Sequence, residues 1–531
     1  MKQFHVLFFL LFAGLLSAQL RLVTDLNPGT EGAFECFLCL GQRTAPIADG
    51  MLVVAGDNTT GQELYFVKDD SISLVKDVFP GDRDGRIRKL TPFGGLVYFS
   101  AISPEGPTIW VSDGTPEGTD LFFDPSPTTA SLSSRIPDFA FGADSALYVV
   151  SEGVLHRYKD GVATQLATSV IISTEDDNFP GGSFTPYQDG VAFFNINDLG
   201  NGGLFLATDT LARLAPLPSI SRFDQAFGLR EVNGNLLFSY ESTSNRRKGT
   251  YRYENGVDTL QRYNTATGSA LFISRWYTIN DSLRVGFDGN RSYLLFDALN
   301  EPFQISTTGP DRFTATARQE YPSLQVDSLL IWLTNGGAFN PEILTITDGT
   351  VAGTRVLLEG EFRGISNLLH DSGNVYFVTG LNFRNGPTFY RYELATGTLT
   401  NFHTGPTDVF SSYDLQLVAV LDSMVYFTSN HENPLYGREL YQVSNGLFPV
   451  STRGPRRVAP LDVSITSETY TIQANAAGMA NVSVFDLGGR LIERQSVPVN
   501  TTQQIGAYRG LRIYVFEFAG KMATRRLLGR Q

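Results

Sequence analysis

An all-β fold is predicted from three observations. The first is composition. Of 531 residues only 18% are charged while 12% are aromatic, and Gly (52) and Pro (25) are frequent, which is the balance of packed short strands joined by many turns. The second is a hairpin that occurs twice. Thr108–Asp124 (TIWVSDGTPEGTDLFFD) and Glu342–Leu357 (EILTITDGTVAGTRVL) place Asp113-Gly114-Thr115 and Asp348-Gly349-Thr350 at the same offset before Gly118-Thr119 and Gly353-Thr354. The third is a period. A strand of the form apolar-Tyr/Phe-Phe begins near Met51, Leu96, Ala146, Val191, Leu236, Leu283, Leu329, Val375 and Val425, nine starts about 45 to 50 residues apart. Four strands fit in each period, and a period of that length built from four strands is the signature of a propeller blade. The predicted fold is therefore a β-propeller of eight or nine four-stranded blades, followed by a small C-terminal antiparallel β-sandwich.

Burial explains why such units should form a ring. A four-stranded sheet with apolar residues on both faces cannot cover either face alone, and stacking covers all but the terminal faces, which only closure removes. Within each unit the aromatic strand is preceded by another strand, as at Arg88–Pro92 and Leu415–Leu421. It is followed by a strand with an aromatic or apolar doublet, as at Glu63–Phe66, Tyr251–Tyr253, Phe389–Tyr392 and Glu439–Tyr441. A turn such as Lys159-Asp160-Gly161, Glu254-Asn255-Gly256 or Ser444-Asn445-Gly446 then leads to the fourth strand. The pattern Leu-Val-x-Asp-apolar-x-Pro-Gly occurs at Leu22–Gly29 and again at Leu74–Gly81. The second copy follows an Glu-Leu-Tyr strand, whereas the first has none before it, so the array begins partway through a unit. The orphan strand at Arg21–Leu26 would complete the last blade, near Leu447–Val450, and fasten the ring.

The chain divides into residues 1–18, 19–452, 453–460 and 461–531. Residues 1–18 read as a secretory signal: Lys2, an apolar core over Val6–Leu16, and Ser17-Ala18 before Gln19. That core is too short to span a bilayer and no later stretch is longer, so no transmembrane segment is expected after signal removal. Residues 19–452 hold the repeats. A linker at 453–460 leads to short alternating strands at Leu461–Ile465, Tyr470–Gln473, Ala480–Asp486, Arg490–Gln495, Thr502–Gly506, Leu511–Phe518 and Lys521–Leu528.

Two family resemblances attach to these residues. ELYFVKDD, TIWVSDGTPEGT, EILTITDGTVAGT and LVKDVFPG resemble the ELWxxDGT repeat of secreted bacterial proteins, which implies a β-propeller-like array and supplies no catalytic residues. Only two copies hold the full motif; Asp209-Thr210 lacks the Gly and Asn255-Gly256 lacks the Asp. The C-terminal segment resembles the type A sorting domain of the type IX secretion system of Bacteroidota. The resemblance rests on Val482–Arg490, with Asp486, Gly488, Gly489 and Arg490, then on Tyr508–Val515, with Gly510 and Tyr514, then on the basic end Lys521–Arg526. The usual opening Pro-Asn-Pro is replaced by Arg457-Val458-Ala459-Pro460. This resemblance implies the type IX machinery as a partner, and a destination outside the cell or on the outer-membrane surface.

The chemistry is sparse. The net charge of −13 argues against nucleic acid as a partner. Cys36 and Cys39 are the only cysteines; a local disulfide suits an oxidising compartment, two buried thiols are the alternative, and a redox or zinc site lacks completing ligands. His156, His370, His403 and His431 show no metal spacing, and there is no nucleophile elbow or phosphate-binding loop. Asp82 and Asp84 could lend oxygens to Ca²⁺, but one short loop with an Arg inside it reads better as a solvated turn, so no cofactor is expected. The Ser, Thr and Asp side chains of the repeated turns are expected to bond their own backbone. Two functions remain. One is a non-catalytic propeller that binds a glycan or protein at the cell surface. The other is a polysaccharide hydrolase or lyase on the same scaffold, which would need a carboxylate pair at the channel mouth.

Overall fold

The computed structural model describes residues 21–27, 32–34, 43–48, 50–68, 71–125, 136–170, 172, 184–195, 202–217, 225–232, 234–241, 248–257, 260–262, 273–278, 283–288, 293–297, 302–306, 323–334, 343–350, 352–358, 367–379, 387–404, 415–421, 424–430, 438–445, 462–465, 469–473, 479–485, 491–504, 510–518 and 521–529. Every regular element among them longer than a single turn is a β-strand.

Nine four-stranded antiparallel sheets are built from residues 44–76, 88–123, 138–167, 184–215, 225–262, 273–306, 323–358 and 369–404, and from 416–444 together with 21–24. We number them blades 1 to 9. The nine aromatic strands read from the sequence are the second strands of these blades, and among the described residues the count is nine. The stretch between residues 200 and 320, least regular in sequence, holds full blades at 225–262 and 273–306. In each blade the strands run in chain order from an inner first strand, which lies beside the first strand of its neighbour, to an outer fourth strand.

Blade 9 is the exception, and it closes the ring. Its sheet runs from Arg21–Thr24 through Arg438–Ser444 and Met424–Asn430 to Gln416–Leu421. The N-terminal strand pairs antiparallel with Arg438–Ser444, with Arg21 opposite Gln442, Leu22 opposite Tyr441 and Thr24 opposite Leu440. The sequence placed a fourth strand near Leu447–Val450 as well. The position beside Arg438–Ser444 belongs to the N-terminal strand instead, and residues 446–461 lie outside the described residues.

The second strands explain why stacking is obligatory. Along Gly50–Asp57, Leu52 and Val54 face blade 2, where they pack with Val97, Phe99 and Trp110. Met51, Val53 and Ala55 face the other way, into a cluster with Val418, Ala419, Tyr426 and Leu440 of blade 9. Along Leu96–Ser103, Val97 and Phe99 face blade 1 while Leu96 and Tyr98 pack against Phe139 and Leu147 of blade 3. The period-two alternation of a strand is thus used twice, apolar on both sides, because each blade has a neighbour on each face. Similar clusters join blades 3 and 4, 4 and 5, 7 and 8, and 8 and 9.

The cluster between blades 9 and 1 is the closing seam. It also takes in Ala33 and Phe34, with Val23 and Leu26 packed against it. Joining ends separated by roughly 400 residues costs about 5 kcal/mol of chain entropy. Burying a Val, Leu, Met or Phe side chain contributes about 1.5–3 kcal/mol each. Phe34, Met51, Val53, Val418 and Leu440 alone outweigh that cost.

The C-terminal segment forms two sheets, as the sequence predicted. Asp462–Ile465, Thr469–Gln473 and Thr502–Gln504 make one; Met479–Phe485, Leu491–Pro498, Gly510–Phe518 and Lys521–Gly529 make the other. The Asn500 N–H, in the turn from Leu491–Pro498 to Thr502–Gln504, donates to Ile472 O at 2.6 Å. Ile472, Val482, Val484, Val497 and Val499 are buried.

Candidate functional site

The repeated Asp-Gly-Thr turns connect third and fourth strands, and both copies carry one network. In blade 2 the Ser112 and Thr119 hydroxyls meet at 2.7 Å and the Gly114 N–H donates to Ser112 Oγ at 3.0 Å. Asp113 Oδ1 accepts from the Thr115 N–H at 2.9 Å and from its hydroxyl at 2.7 Å. The Gly118 N–H donates to Thr115 Oγ1 at 3.0 Å, and the Thr119 hydroxyl to Thr115 O at 2.7 Å. In blade 7 the equivalents are Thr347 with Thr354 at 2.7 Å, Gly349 to Thr347 at 3.0 Å, Thr350 to Asp348 at 2.8 Å through both donors, Gly353 to Thr350 at 2.8 Å and Thr354 to Thr350 O at 2.6 Å. Hydrogen bonds from the Thr350 hydroxyl and N–H hold the Asp348 carboxyl below the usual carboxylate range.

Each letter of the motif has a reason. Gly114 and Gly349 sit at φ 91° and 87°, which side chains rarely tolerate. A Cβ on Gly118 or Gly353 would lie 2.0 Å from Asp113 or Asp348 Oδ1. A Cβ on Gly114 would also lie 3.3 Å from Ile47 Cγ2 and 3.6 Å from the Phe66 ring of blade 1. As expected from sequence, this chemistry is spent on the turn itself.

A second device was missed in the sequence. Glu63 and Glu439, at the same register on the third strands of blades 1 and 9, are fully buried at 0% exposure. Glu63 Oε2 accepts from the Val78 N–H at 2.7 Å and Oε1 from the Phe79 N–H at 3.3 Å. Glu439 Oε2 accepts from the Leu26 N–H at 3.2 Å and Oε1 from the Ala33 N–H at 3.1 Å. Each glutamate therefore grips the crossing that leaves its blade's outer strand for the next blade. The grip continues across the seam, since Ala33 O accepts from the Gly56 N–H of blade 1 at 2.8 Å and Gly85 O from the Ile102 N–H of blade 2 at 2.8 Å. Gln62 Nε2 also donates to Ala33 O at 3.0 Å. Burial pushes the Glu63 carboxyl up to about 8 against the pull of the Val78 and Phe79 N–H groups, with Asp77 adding to the rise. Burial likewise raises Glu439 to about 7 against Ala33 and Leu26, with Asp25 adding to the rise.

The crossing held by Glu63 carries four cations within seven residues, in the run Gly81-Asp-Arg-Asp-Gly-Arg-Ile-Arg-Lys89. It lies over the blade 1 hairpin, where a Cβ on Gly61 would meet the Arg83 backbone at 2.7 Å. Asp84 Oδ1 accepts from the Gln62 N–H at 2.8 Å, and the Gly85 N–H donates to Gln62 O at 3.1 Å. Arg86 and Lys89 are left-handed, at φ 47° and 57°. The equivalent bulge in the inner strand of blade 5 has Gly228 at φ 66°. A side chain there costs about 1–2 kcal/mol over glycine. What Lys89 gains is a salt bridge from its Nζ to Asp138 and a seat 5.3 Å above the Phe139 ring, both on the inner strand of blade 3.

The remaining sequence candidates fall as follows. Asp84 is engaged as described and Asp82 is exposed; no group of three or more His, Cys, Asp or Glu able to hold a metal ion occurs among the described residues. His156 lies on the third strand of blade 3 with its ring 5.8 Å from Phe123, and burial lowers its basicity. His370 accepts from the Gly373 N–H in a hairpin, and His403 lies beside Phe389. Gly510 opens the strand Gly510–Phe518, in which Tyr514 sits opposite Val484 and Arg525. Cys36, Cys39, His431, Asp486, Gly488, Gly489 and Arg490 lie outside the described residues.

No known family model and no curated protein matches the chain. Among solved structures it is similar to an oligogalacturonate lyase in complex with manganese, at 11% identity and TM-score 0.34, covering 66% of this chain and 86% of the lyase. It is also similar to a puromycin hydrolase at 10% identity and TM-score 0.38, and to a Mycobacterium tuberculosis puromycin-hydrolysing peptidase at 11% and 0.32, each covering 77% of this chain and 62% of the other. At this identity and these scores no residue of their sites carries over.

Two outcomes test these devices. Gly118→Ala must expel the Asp113 carboxylate and strip the turn of its acceptor, at a cost of about 1–3 kcal/mol in chemical denaturation, and Gly353→Ala should cost a similar amount. For Glu63 the folded-state value, about 8, lies above the ordinary 4.5, so the folded chain holds more protons than the unfolded one between them. Its contribution is complete below 4.5 and is lost as pH rises through about 8; for Glu439 the window closes at about 7. Thermal midpoints should therefore fall from pH 5 to pH 8, and Glu63→Gln should flatten that slope while lowering stability at both ends. An unchanged slope would show that Glu63 does not titrate across this range.

Proposed function

We propose that the chain is a secreted or outer-membrane-surface β-propeller without catalytic chemistry, that it binds a glycan or protein ligand, and that it is exported through the type IX secretion system. One observation carries the binding reading. The polar residues that recur between blades, Asp-Gly-Thr and the buried glutamates, are consumed in bonds to their own backbone. What repeats is scaffold chemistry, and what varies is the set of crossings and hairpins that the scaffold holds out. Among the described residues Asp138, the charged carboxylate on the inner strand of blade 3, is spent on Lys89. The export reading rests on the resemblance of the segment 461–531 to a sorting domain and on the leader at 1–18.

A glycan-array screen of the secreted protein, run beside a reducing-end and unsaturated-product assay on the same polysaccharides, tests the first part. Binding without product is expected; product from any polysaccharide would make it a hydrolase or lyase. Removal of Leu461–Gln531 should leave the protein in the periplasm, and normal export of that truncation would remove the sorting argument.

A further inference from the structure

Taking the binding reading as its premise, we propose that the crossing Asp82–Lys89 and the adjoining inner-strand mouths of blades 1 and 2 form a binding site for an anionic sugar chain, one bearing carboxylate or sulfate groups. The chain as a whole carries −13, so an anion must find a local exception. Arg83, Arg86, Arg88 and Lys89 fall within seven residues, and Arg43 stands immediately before the inner strand of blade 1 as Arg88 opens that of blade 2. Arg83 and Arg86 are exposed, and among the described residues neither is ion-paired. Arg83 lies 5.6 Å over the Phe79 ring.

Three further features set this apart from a stray run of charge. The crossing is fixed at Val78, Phe79 and Gly85 by the Glu63 strand, so its arginines are presented on a frame ordered before any ligand arrives. The Asp84 side chain, itself exposed, accepts from the Gln62 N–H and so pins the run to the blade 1 hairpin as well. Arg86 occupies a left-handed position where glycine would be relaxed, and such strain is retained where the side chain is needed; that of Lys89 is already matched by its contacts with Asp138 and Phe139. Cations strung along one crossing and two strand mouths suit a chain with repeated charges better than a single small anion. Guanidinium groups pair carboxylate and sulfate oxygens through two parallel hydrogen bonds.

Binding of the full secreted chain to polygalacturonate, chondroitin sulfate and neutral dextran, measured by affinity electrophoresis at two salt concentrations, tests the site. One or both polyanions in the gel should retard the protein, dextran should not, and added salt should weaken the effect. The arm that responds identifies the charged group. Arg83→Ala with Arg86→Gly should weaken polyanion binding at least tenfold while the thermal midpoint stays level or rises, since the glycine relieves the φ strain. Undiminished binding by that variant, retention of neutral chains alone, or equal binding of duplex DNA would each overturn the proposal. Neutral-glycan binding would still leave the broader binding reading in place, whereas no binding to any glycan or protein would remove both.

Discussion

The crossings that leave blades 9 and 1, and with them the closure of the ring, depend on a carboxyl group out of reach of water. A crossing between two blades must leave one sheet, turn, and enter the next, and at each step it presents N–H groups that no strand partner can take. Leaving one of those groups buried and unmet costs about 1–3 kcal/mol. Glu63 takes Val78 and Phe79; Glu439 takes Leu26 and Ala33. Burying a glutamate is itself expensive, and the upward displacement of both carboxyls is the sign of that expense. The arrangement holds because two backbone donors converge on each carboxyl, and because the gripped loop goes on to bond the second strand of the next blade. Blade-to-blade cohesion is therefore polar at this end of the strands and apolar along their length.

Much of this was legible in the sequence, and the reason is periodicity. Apolar residues on consecutive positions of the second strand, as at Met51–Ala55, are tolerated only where both faces are covered, so the ring follows from the pattern. The orphan strand at Arg21 followed from counting strands. The Asp-Gly-Thr turn could be read residue by residue because its bonds are local, none reaching beyond seven positions. The glutamate grip was invisible for the opposite reason. Glu439 and Ala33 are 406 residues apart. Yet the signal was present. The two Leu-Val-x-Asp-apolar-x-Pro-Gly copies, at 22–29 and 74–81, belong to the same two blades that carry Glu-Leu-Tyr at their third strand. Pairing the motifs required knowing that the chain's beginning completes its last blade.

What was not legible concerns the places where the repeat is broken. Nothing in sequence separates Lys89 from an ordinary strand residue, because its left-handed backbone arises from a bulge in pairing with the second strand. The same bulge in blade 5 uses glycine. Departures of this kind, where a locally unfavourable residue persists in an otherwise regular array, separate what the blades need from what the surface presents. Thr108, in the register of Glu63 and Glu439, shows that the grip itself is not universal: blade 2 places a hydroxyl there and accepts Trp110 Nε1–H at 3.0 Å.

The central claim is that the seam between blades 9 and 1 is as fixed as any blade interior, because Glu439 and Ala33 tie the two ends of the chain together. Native-state amide hydrogen exchange measures this directly. The N–H groups of Leu26, Ala33 and Gly56 should exchange only through global unfolding, at the same free energy as Val53 and Tyr426 in the middle of their blades. Exchange of those three by local opening, at the rate of an exposed hairpin and while Val53 and Tyr426 remain protected, would contradict it.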